Sequence, residues 1–358
     1  MRTARSCLLM VLTAASATGA PASLGHALQV KTVASGLDTP WDLEWGPDGA
    51  MWVTERPGRI SRVDVASGQV TLVGEIEVTE VSESGLMGMA FHPDFRSQPY
   101  VYLAHSYRSV LGIRNRLIRM RYASGRLADP ETLLDGIPGA GNHNGARLAI
   151  GPDRMLYLTT GDAGDGSRSQ DRKSLAGKVL RLTLEGKPAP GNPFGNEIWS
   201  YGHRNPQGIA FQPGTSALYV AEHGPSEADE VNLVEPGRNY GWPEARGACD
   251  RDAERDFCGA NNVMEPVIEF TPTLGIAGAA FAARDTLLVT ALSGRVLLRI
   301  SLSPDGRRAA WVQHLHQDEF GRIRDVLVGP DGAIYLATSN RDGRGFPAAD
   351  DDRILRVR

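Results

Sequence analysis

A short phrase that returns six times along the chain constrains its fold more than any other feature. Each copy contains the end of one apolar run, a turn and the start of a second apolar run. In both runs the apolar residues alternate or cluster, as they do in β-strands. The turns carry Pro-Asp-Gly type tips, which suit hairpins. A hairpin repeated over the whole chain predicts an all-β fold, a six-bladed β-propeller. The copies begin at Trp41, Gly88, Ala146, Gly208, Gly278 and Asp325.

The spacing of the copies also predicts where polar sites lie. The segments between the third, fourth and fifth copies are longer than the others, and we expect them to be loops at one end of the propeller, where sites are usually built. No long amphipathic helical run is present, which disfavours an α/β fold. In a chain of 358 residues, one propeller over residues 28–358 accounts for nearly all of the sequence.

Residues 1–27 have the pattern of a secretory signal peptide. Arg2 and Arg5 precede an apolar stretch that is followed by small residues. The alternative, a membrane anchor, calls for a longer apolar run. Loss of the two arginines would change the formal net charge of −4 by two units to −6, which disfavours nucleic acid as a partner. We therefore predict a periplasmic or secreted protein without stable membrane insertion.

The cysteine pattern fits export. Cys7 would leave with the signal peptide, and the remaining Cys249 and Cys258 lie in one loop. In an oxidising compartment such a pair predicts a local disulfide. A metal site is the alternative, but no second cysteine pair or nearby histidine completes it.

One polar cluster predicts a general base. His143 precedes the third copy of the repeat, and Asp162 follows the same hairpin. Because a hairpin returns the chain to its starting level, we expect the two side chains to face each other. A carboxylate on one ring nitrogen orients an imidazole and raises its basicity. The alternative is that His143 only caps a turn.

Two further clusters are rich in arginine. Arg204 lies just before the fourth copy and offers a rigid fork for carboxylate or quinone oxygens, the alternative being a surface salt bridge. Arg322 and Arg324 are two positions apart, so in an extended chain they project from the same side and could hold one anionic group.

Another cluster is acidic. Residues 223–230 and 239–243 combine several carboxylates, carbonyls around Gly224-Pro225 and a tyrosine. Such oxygen donors favour Ca²⁺, although the spacing matches no EF-hand. A solvated acidic turn is the alternative interpretation.

At these clusters the chain resembles the soluble pyrroloquinoline quinone (PQQ)-dependent glucose/sorbosone dehydrogenases, also called aldose sugar dehydrogenases. The resemblance runs from about Leu37 to the C-terminus, and that family is a six-bladed propeller. The phrases that carry it, in the family's order, are GLMGMAFHPDF, NHNGARLAIGPD, GKVLRL, GHRNPQGIAF, HGPSEADEVNL, NYGWP and RIRDV.

The resemblance implies roles at the sugar and quinone. His143 matches the catalytic base and Asp162 its partner. Arg204 and Asn205 match residues that contact quinone and substrate oxygens. Arg322 and Arg324 match the arginines that bind the cofactor carboxylates, and Thr273 matches a threonine that contacts the cofactor.

It also implies two calcium sites. Gly224 and Pro225 match positions whose carbonyls bind a Ca²⁺ ion that also holds PQQ. Glu230 and Tyr240, together with Asp229, match a second, structural Ca²⁺ site.

Two positions depart from the family pattern. Glu83 stands where the family usually has glutamine, and Ser293-Gly294-Arg295 stands where it often has lysine. Both changes are expected to weaken PQQ binding, with Arg295 as the substitute cation. On this reasoning Glu83→Gln should tighten PQQ binding by about 1 kcal/mol.

The implied activity is oxidation of aldose sugars at C1 to aldonolactones. His143 would abstract the proton, hydride would pass to PQQ, and a periplasmic electron acceptor would reoxidise the cofactor. Two alternatives belong to other classes: a Ca²⁺-dependent propeller lactonase or hydrolase, and a non-catalytic binding propeller.

Overall fold

The computed structural model describes residues 29–358, which form six antiparallel sheets of four strands each. The predicted signal peptide over residues 1–27 lies outside the described residues. Each sheet is one blade, and the predicted six-bladed β-propeller is confirmed. The six repeat phrases form the first two strands of the six blades.

Five blades follow the chain in order, with the innermost strand first. Blade one has β2 (Pro40–Trp45), β3 (Met51–Glu55), β4 (Arg59–Val63) and β5 (Val70–Glu75). Blade two has β6 (Leu86–Phe91), β7 (Tyr100–Ser109), β8 (Gly112–Ala123) and β9 (Arg126–Pro138). Blade three has β10 (Gly145–Ile150), β11 (Leu156–Thr160), β12 (Lys178–Leu182) and β13 (Ile198–Tyr201). Blade four has β14 (Pro206–Phe211), β15 (Leu218–Glu222), β16 (Asp229–Val234) and β17 (Ile268–Phe270). Blade five has β18 (Ile276–Ala283), β19 (Thr286–Ala291), β20 (Val296–Leu302) and β21 (Ala309–Leu315).

Blade six closes the ring. It contains β22 (Ile323–Val328), β23 (Ile334–Thr338), β24 (Ile354–Val357) and the first strand of the chain, β1 (Val30–Ala34). β1 pairs antiparallel with β24, so the two ends of the described chain are joined by backbone hydrogen bonds. This pairing completes blade six with its fourth strand and closes the ring.

Within the described residues two short helices lie in loops, α1 (Ser167–Gln170) after β11 and α2 (Asp252–Asn261) after β16. Cys249 forms a disulfide with Cys258 of α2, with 6.3 Å between the Cα atoms, which confirms the predicted bridge. None of the helices in residues 29–358 is long and apolar enough to cross a membrane.

The strand pattern places all polar clusters at one end of the propeller, which we call the upper end. The innermost strands pack side by side around the axis, and each begins at the upper end. In an up-and-down blade, the loops before the first strand and after the second strand share that end. Apolar side chains fill the space between neighbouring blades, as Trp52, Met89, Leu103 and Ile118 do between blades one and two.

A buried ion network crosses the axis below this end. Arg147 of β10 pairs with Asp42 of β2 and, at 3.1 Å, with Asp325 of β22. The second oxygen of Asp42 accepts the backbone N–H of Met89, and that of Asp325 accepts the N–H of Leu43. Burial raises the pKa of Asp42 to about 7 even though Arg147 opposes this shift. The network therefore links the inner strands of four blades through groups that are costly to leave unpaired.

Candidate active site

A cavity of about 240 Å³ opens at the upper end, where loops of several blades meet. The structure thus brings together residues from segments far apart in sequence, as the repeat pattern predicts. Eight of the predicted site residues line the cavity: Glu83, His143, Arg204, Asn205, Gly224, Pro225, Thr273 and Arg322.

The predicted pairing of His143 with Asp162 is present. His143 Nδ1 lies 2.8 Å from Asp162 Oδ1, and Asp162 is almost fully buried behind the ring. An ionised carboxylate only accepts hydrogen bonds, so a neutral His143 ring paired with it would carry its hydrogen on Nδ1 and donate a hydrogen bond to Asp162. This leaves Nε2 as the unprotonated nitrogen, the form that a general base needs.

Asp162 is held in turn by Trp242, a contact that the sequence reasoning missed. Trp242 Nε1 donates to Asp162 Oδ2 at 2.9 Å, and the Trp242 ring also faces the guanidinium of Arg204 at 5.3 Å. Trp242 lies in the long loop between β16 and β17. Trp242 belongs to the NYGWP motif, but the sequence gives no sign that it contacts Asp162, which lies 80 positions earlier.

Several buried nitrogens in the cavity wall have no hydrogen-bond partner among residues 29–358. They are Arg204 Nε, Asn205 Nδ2 and His223 Nε2. Burial lowers the pKa of His223 to about 4, so its ring is neutral at neutral pH. Unsatisfied buried polar groups are costly and uncommon, and their convergence indicates a site for a ligand rich in oxygen acceptors.

The two predicted cofactor arginines of blade six differ in their partners. Arg322 lines the cavity and donates two hydrogen bonds to Asp342 Oδ2, at 2.9 and 2.8 Å. Arg324 is buried nearby and donates to Gln207, while its Nε has no partner in the described part of the chain. Burial lowers the pKa of Arg324 to about 10, which still leaves it charged at neutral pH.

Both departures from the family pattern reach the cavity wall, through Glu83 and through Ser293. Glu83 lies in the cavity wall and forms an ion pair with Arg344 at 2.7 Å. Arg295 lies outside this wall, pairs with Asp318 at 2.6 Å and lines a neighbouring cavity of about 490 Å³. Arg344 is one of the residues that line both cavities.

One of the two predicted calcium donors at the cavity, the Gly224 carbonyl, already has a protein partner. Arg204 Nη1 donates to the carbonyl oxygens of His223 and Gly224, at 3.0 and 2.8 Å. A cation at the Gly224 carbonyl would therefore face the guanidinium of Arg204, and Pro225 alone adds too few donors. Within residues 29–358, no group of three or more His, Cys, Asp or Glu side chains is placed to hold a metal ion.

The donors predicted for the second calcium site are also engaged. Glu230 accepts from Gly247 N and Asn232 Nδ2, while the Tyr240 hydroxyl donates to the Leu233 carbonyl. Burial, with nearby Glu222 as a second cause, raises the pKa of Glu230 to about 8. Asp229 accepts backbone N–H groups from Gly224, Leu274, Gly275 and Ile276. In this arrangement the donors do not fit calcium, and we derive no step through a metal.

The cavity does fit an anionic quinone. PQQ carries three carboxylates and two quinone oxygens, all of them acceptors, and the wall supplies unpartnered nitrogens from Arg204 and Asn205. Arg324 adds a buried positive charge beside the wall. Charge-assisted hydrogen bonds from arginine to carboxylate are among the strongest in proteins.

Comparison with known proteins identifies the family of the chain. The family model described as Glucose / Sorbosone dehydrogenase matches residues 37–355. Quinoprotein glucose dehydrogenase B of Acinetobacter calcoaceticus is 37% identical over 257 residues, covering 62% of this chain and 53% of the relative. Aldose sugar dehydrogenase YliI of Escherichia coli is 30% identical over 361 residues, covering 94% of both chains.

Solved structures show the same fold at substantial identity. The PQQ-bound aldose sugar dehydrogenase of Streptomyces coelicolor is 41% identical, with a TM-score of 0.83 over 92% of this chain and 98% of that one. An oxidoreductase of Thermus thermophilus, described as a glucose dehydrogenase, is 44% identical, with a TM-score of 0.85 over 92% of this chain and all of that one. The chain described here therefore belongs to the glucose/sorbosone dehydrogenase family.

Proposed function

We propose that this protein is an exported, PQQ-dependent dehydrogenase that oxidises aldose sugars at C1 to aldonolactones. One observation carries the proposal: His143, whose ring is paired with the buried Asp162, lines the same cavity as Arg204 and Asn205, each of which has a buried nitrogen without a partner among the described residues. The cavity thus combines a base with donors for an oxygen-rich cofactor. Family membership and the PQQ-bound relative support the same assignment.

In the proposed reaction, His143 Nε2 accepts the proton of the anomeric hydroxyl of the sugar. Asp162 holds the ring in the required tautomer and stabilises the positive charge that the ring then carries. Arg204 and Asn205 orient oxygen atoms in the cavity, and Arg322, Arg324 and Thr273 would hold the cofactor. When bound, PQQ supplies the oxidant that accepts the hydride from C1.

Export and reoxidation complete the proposal. The signal-peptide pattern of residues 1–27 and the Cys249–Cys258 disulfide support an oxidising, extracytoplasmic compartment. A turnover that reduces the cofactor must be followed by electron transfer to an acceptor in the same compartment. Calcium stays a prediction from the family resemblance at Gly224, Pro225, Asp229, Glu230 and Tyr240.

The test is a titration of the purified apoprotein with PQQ, followed by absorbance, with and without Ca²⁺ and with EGTA. We expect saturable binding of PQQ and reduction of a dye acceptor by a panel of aldoses. The absence of PQQ binding under every condition would refute the quinoprotein assignment. Hydrolysis of lactones without PQQ would favour the lactonase alternative, and neither activity would favour a binding propeller.

A second prediction concerns the buried arginine beside the cavity. Arg324→Ala removes a charge-assisted donor, and such hydrogen bonds contribute about 1.5–3 kcal/mol, so we expect PQQ affinity to fall roughly tenfold to a hundredfold. The same titration measures it, with the thermal stability of the apoprotein recorded alongside. Arg295→Ala is the comparison, because Arg295 lies outside the cavity and is paired with Asp318. An equal loss in both variants would contradict a specific role for Arg324.

A further inference from the structure

We propose that Arg344, through its ion pair with Glu83, is a positioning residue that fixes the backbone of His143 in the cavity wall. This inference rests on the proposed function for its kinetic consequence, but not for its structural test. Arg344 Nη1 donates to Glu83 Oε1 at 2.7 Å, and Nη2 donates to Ser82 Oγ at 2.9 Å. The other oxygen of Glu83 accepts the backbone N–H of His143 at 3.3 Å.

His143 needs such support because its backbone is strained. Its φ is +56°, in the left-handed region that residues with a side chain rarely adopt. Such a conformation persists only where surrounding contacts enforce it. Three contacts of His143 do so here. Its backbone N–H donates to Glu83, its carbonyl accepts the N–H of Ala163 at 3.0 Å, and its ring is hydrogen-bonded to Asp162.

The loops that carry Glu83 and His143 are also joined directly. Glu83 N donates to the carbonyl of Gly141 at 2.7 Å, two residues before the base. The Glu83 side chain is only 14% exposed, so its carboxylate is a fixed acceptor in the wall. A shift of Glu83 would therefore be transmitted to the His143 segment through two hydrogen bonds.

Arg344 holds Glu83 from a different blade. It lies in the loop between β23 and β24 of blade six, while Glu83 lies between blades one and two. Asp342 accepts the Arg344 backbone N–H at 2.9 Å and also binds Arg322, which anchors this loop at the cavity. The ion pair thus spans part of the cavity mouth and joins segments 261 residues apart.

The same pair changes the expectation for Glu83. Burial alone would raise the pKa of this carboxyl, but His223 when it is protonated, followed by the hydrogen bond and the charge of Arg344, lowers it below its ordinary value. Glu83 is therefore ionised and already neutralised by a cation. Its negative charge is paired with Arg344, so it does more than repel an anionic cofactor.

Two single variants separate positioning from electrostatics, since each weakens the contact between Arg344 and Glu83 while removing opposite charges: alanine at position 344 removes the donor, and glutamine at position 83 leaves one acceptor oxygen in place of two. If the pair positions His143, both Arg344→Ala and Glu83→Gln lower kcat, by roughly five- to tenfold, with little change in KM for the sugar. If the two residues act only through their charges, PQQ binding should become weaker in Arg344→Ala and tighter in Glu83→Gln. In the double variant, the two losses in kcat should be less than additive.

A readout on the apoprotein makes the inference independent of the cofactor. We would record the imidazole signals of ¹³C-histidine-labelled protein by NMR and assign His143 by its loss in His143→Ala. The His143 signal is expected to shift or broaden in Arg344→Ala and to return towards the wild-type position in Arg344→Lys. Arg154→Ala is the matched control, because Arg154 forms an exposed ion pair with Asp94 in a hairpin turn outside the cavity.

The outcomes are distinct. An unchanged His143 signal in Arg344→Ala would overturn the inference, and so would values of kcat that match the wild type in both single variants. If wild-type protein binds no PQQ, the proposed function fails, while the His143 signal still decides whether Arg344 positions the loop.

Discussion

Replacing His143 with alanine is expected to lower turnover of aldose sugars by about 10²-fold or more, because the variant loses the general base. The fold and PQQ binding should remain largely intact, since His143 lies in a loop and its ring is partly exposed. Steady-state kinetics of the reconstituted enzyme measure turnover, and the PQQ titration measures binding.

Two further variants make this result specific. Asp162→Asn replaces an obligate acceptor with an amide that can donate, which favours the wrong tautomer of His143 and should also lower kcat. His316→Ala is the matched control, since His316 pairs with Glu319 at 2.6 Å but does not line the cavity. Near-normal turnover in His143→Ala would exclude this residue as the base.

The propeller and the His143–Asp162 pair could be predicted because both depend on local pattern. Alternating apolar residues around each turn define a hairpin, and a hairpin returns Asp162 to the level of His143, 19 residues earlier. Counting such hairpins then gives the number of blades. No contact between distant segments is needed for either inference.

The remaining contacts of the site depend on closure of the ring and could not be found in this way. Trp242 reaches Asp162 across 80 residues, and Arg344 reaches Glu83 across 261. No periodicity relates these positions. The sequence therefore showed Glu83 as an isolated negative charge, whereas the folded ring supplies its partner.

The contacts of Arg204 also could not be predicted from the sequence. Its place before the fourth repeat predicts a residue in the cavity wall, and the structure confirms that position. Its Nη1 donates to the carbonyls of His223 and Gly224, the second of which the family resemblance assigns to calcium. Which partner a guanidinium takes depends on side-chain geometry, which a motif does not specify.

Removing the cation at the axis is expected to have the largest effect on stability. In Arg147→Met, the carboxylates of Asp42 and Asp325 lose their shared partner while they stay buried, and breaking a buried ion pair in this way costs about 3–5 kcal/mol. The ring of Trp41, 4.3 Å from the guanidinium, also loses a cation–π contact. Urea unfolding of the apoprotein measures the change.

The triple variant Arg147→Met, Asp42→Asn, Asp325→Asn tests whether unpaired charge is the cause. Each asparagine keeps an oxygen that can accept the backbone N–H of Met89 or Leu43, so the links between inner strands can survive without the charges. We expect this variant to recover most of the lost stability. Arg154→Met, which breaks the exposed pair with Asp94, should change stability by no more than about 1 kcal/mol. If the triple variant is as unstable as Arg147→Met, loss of packing at the axis, and not uncompensated charge, explains the effect.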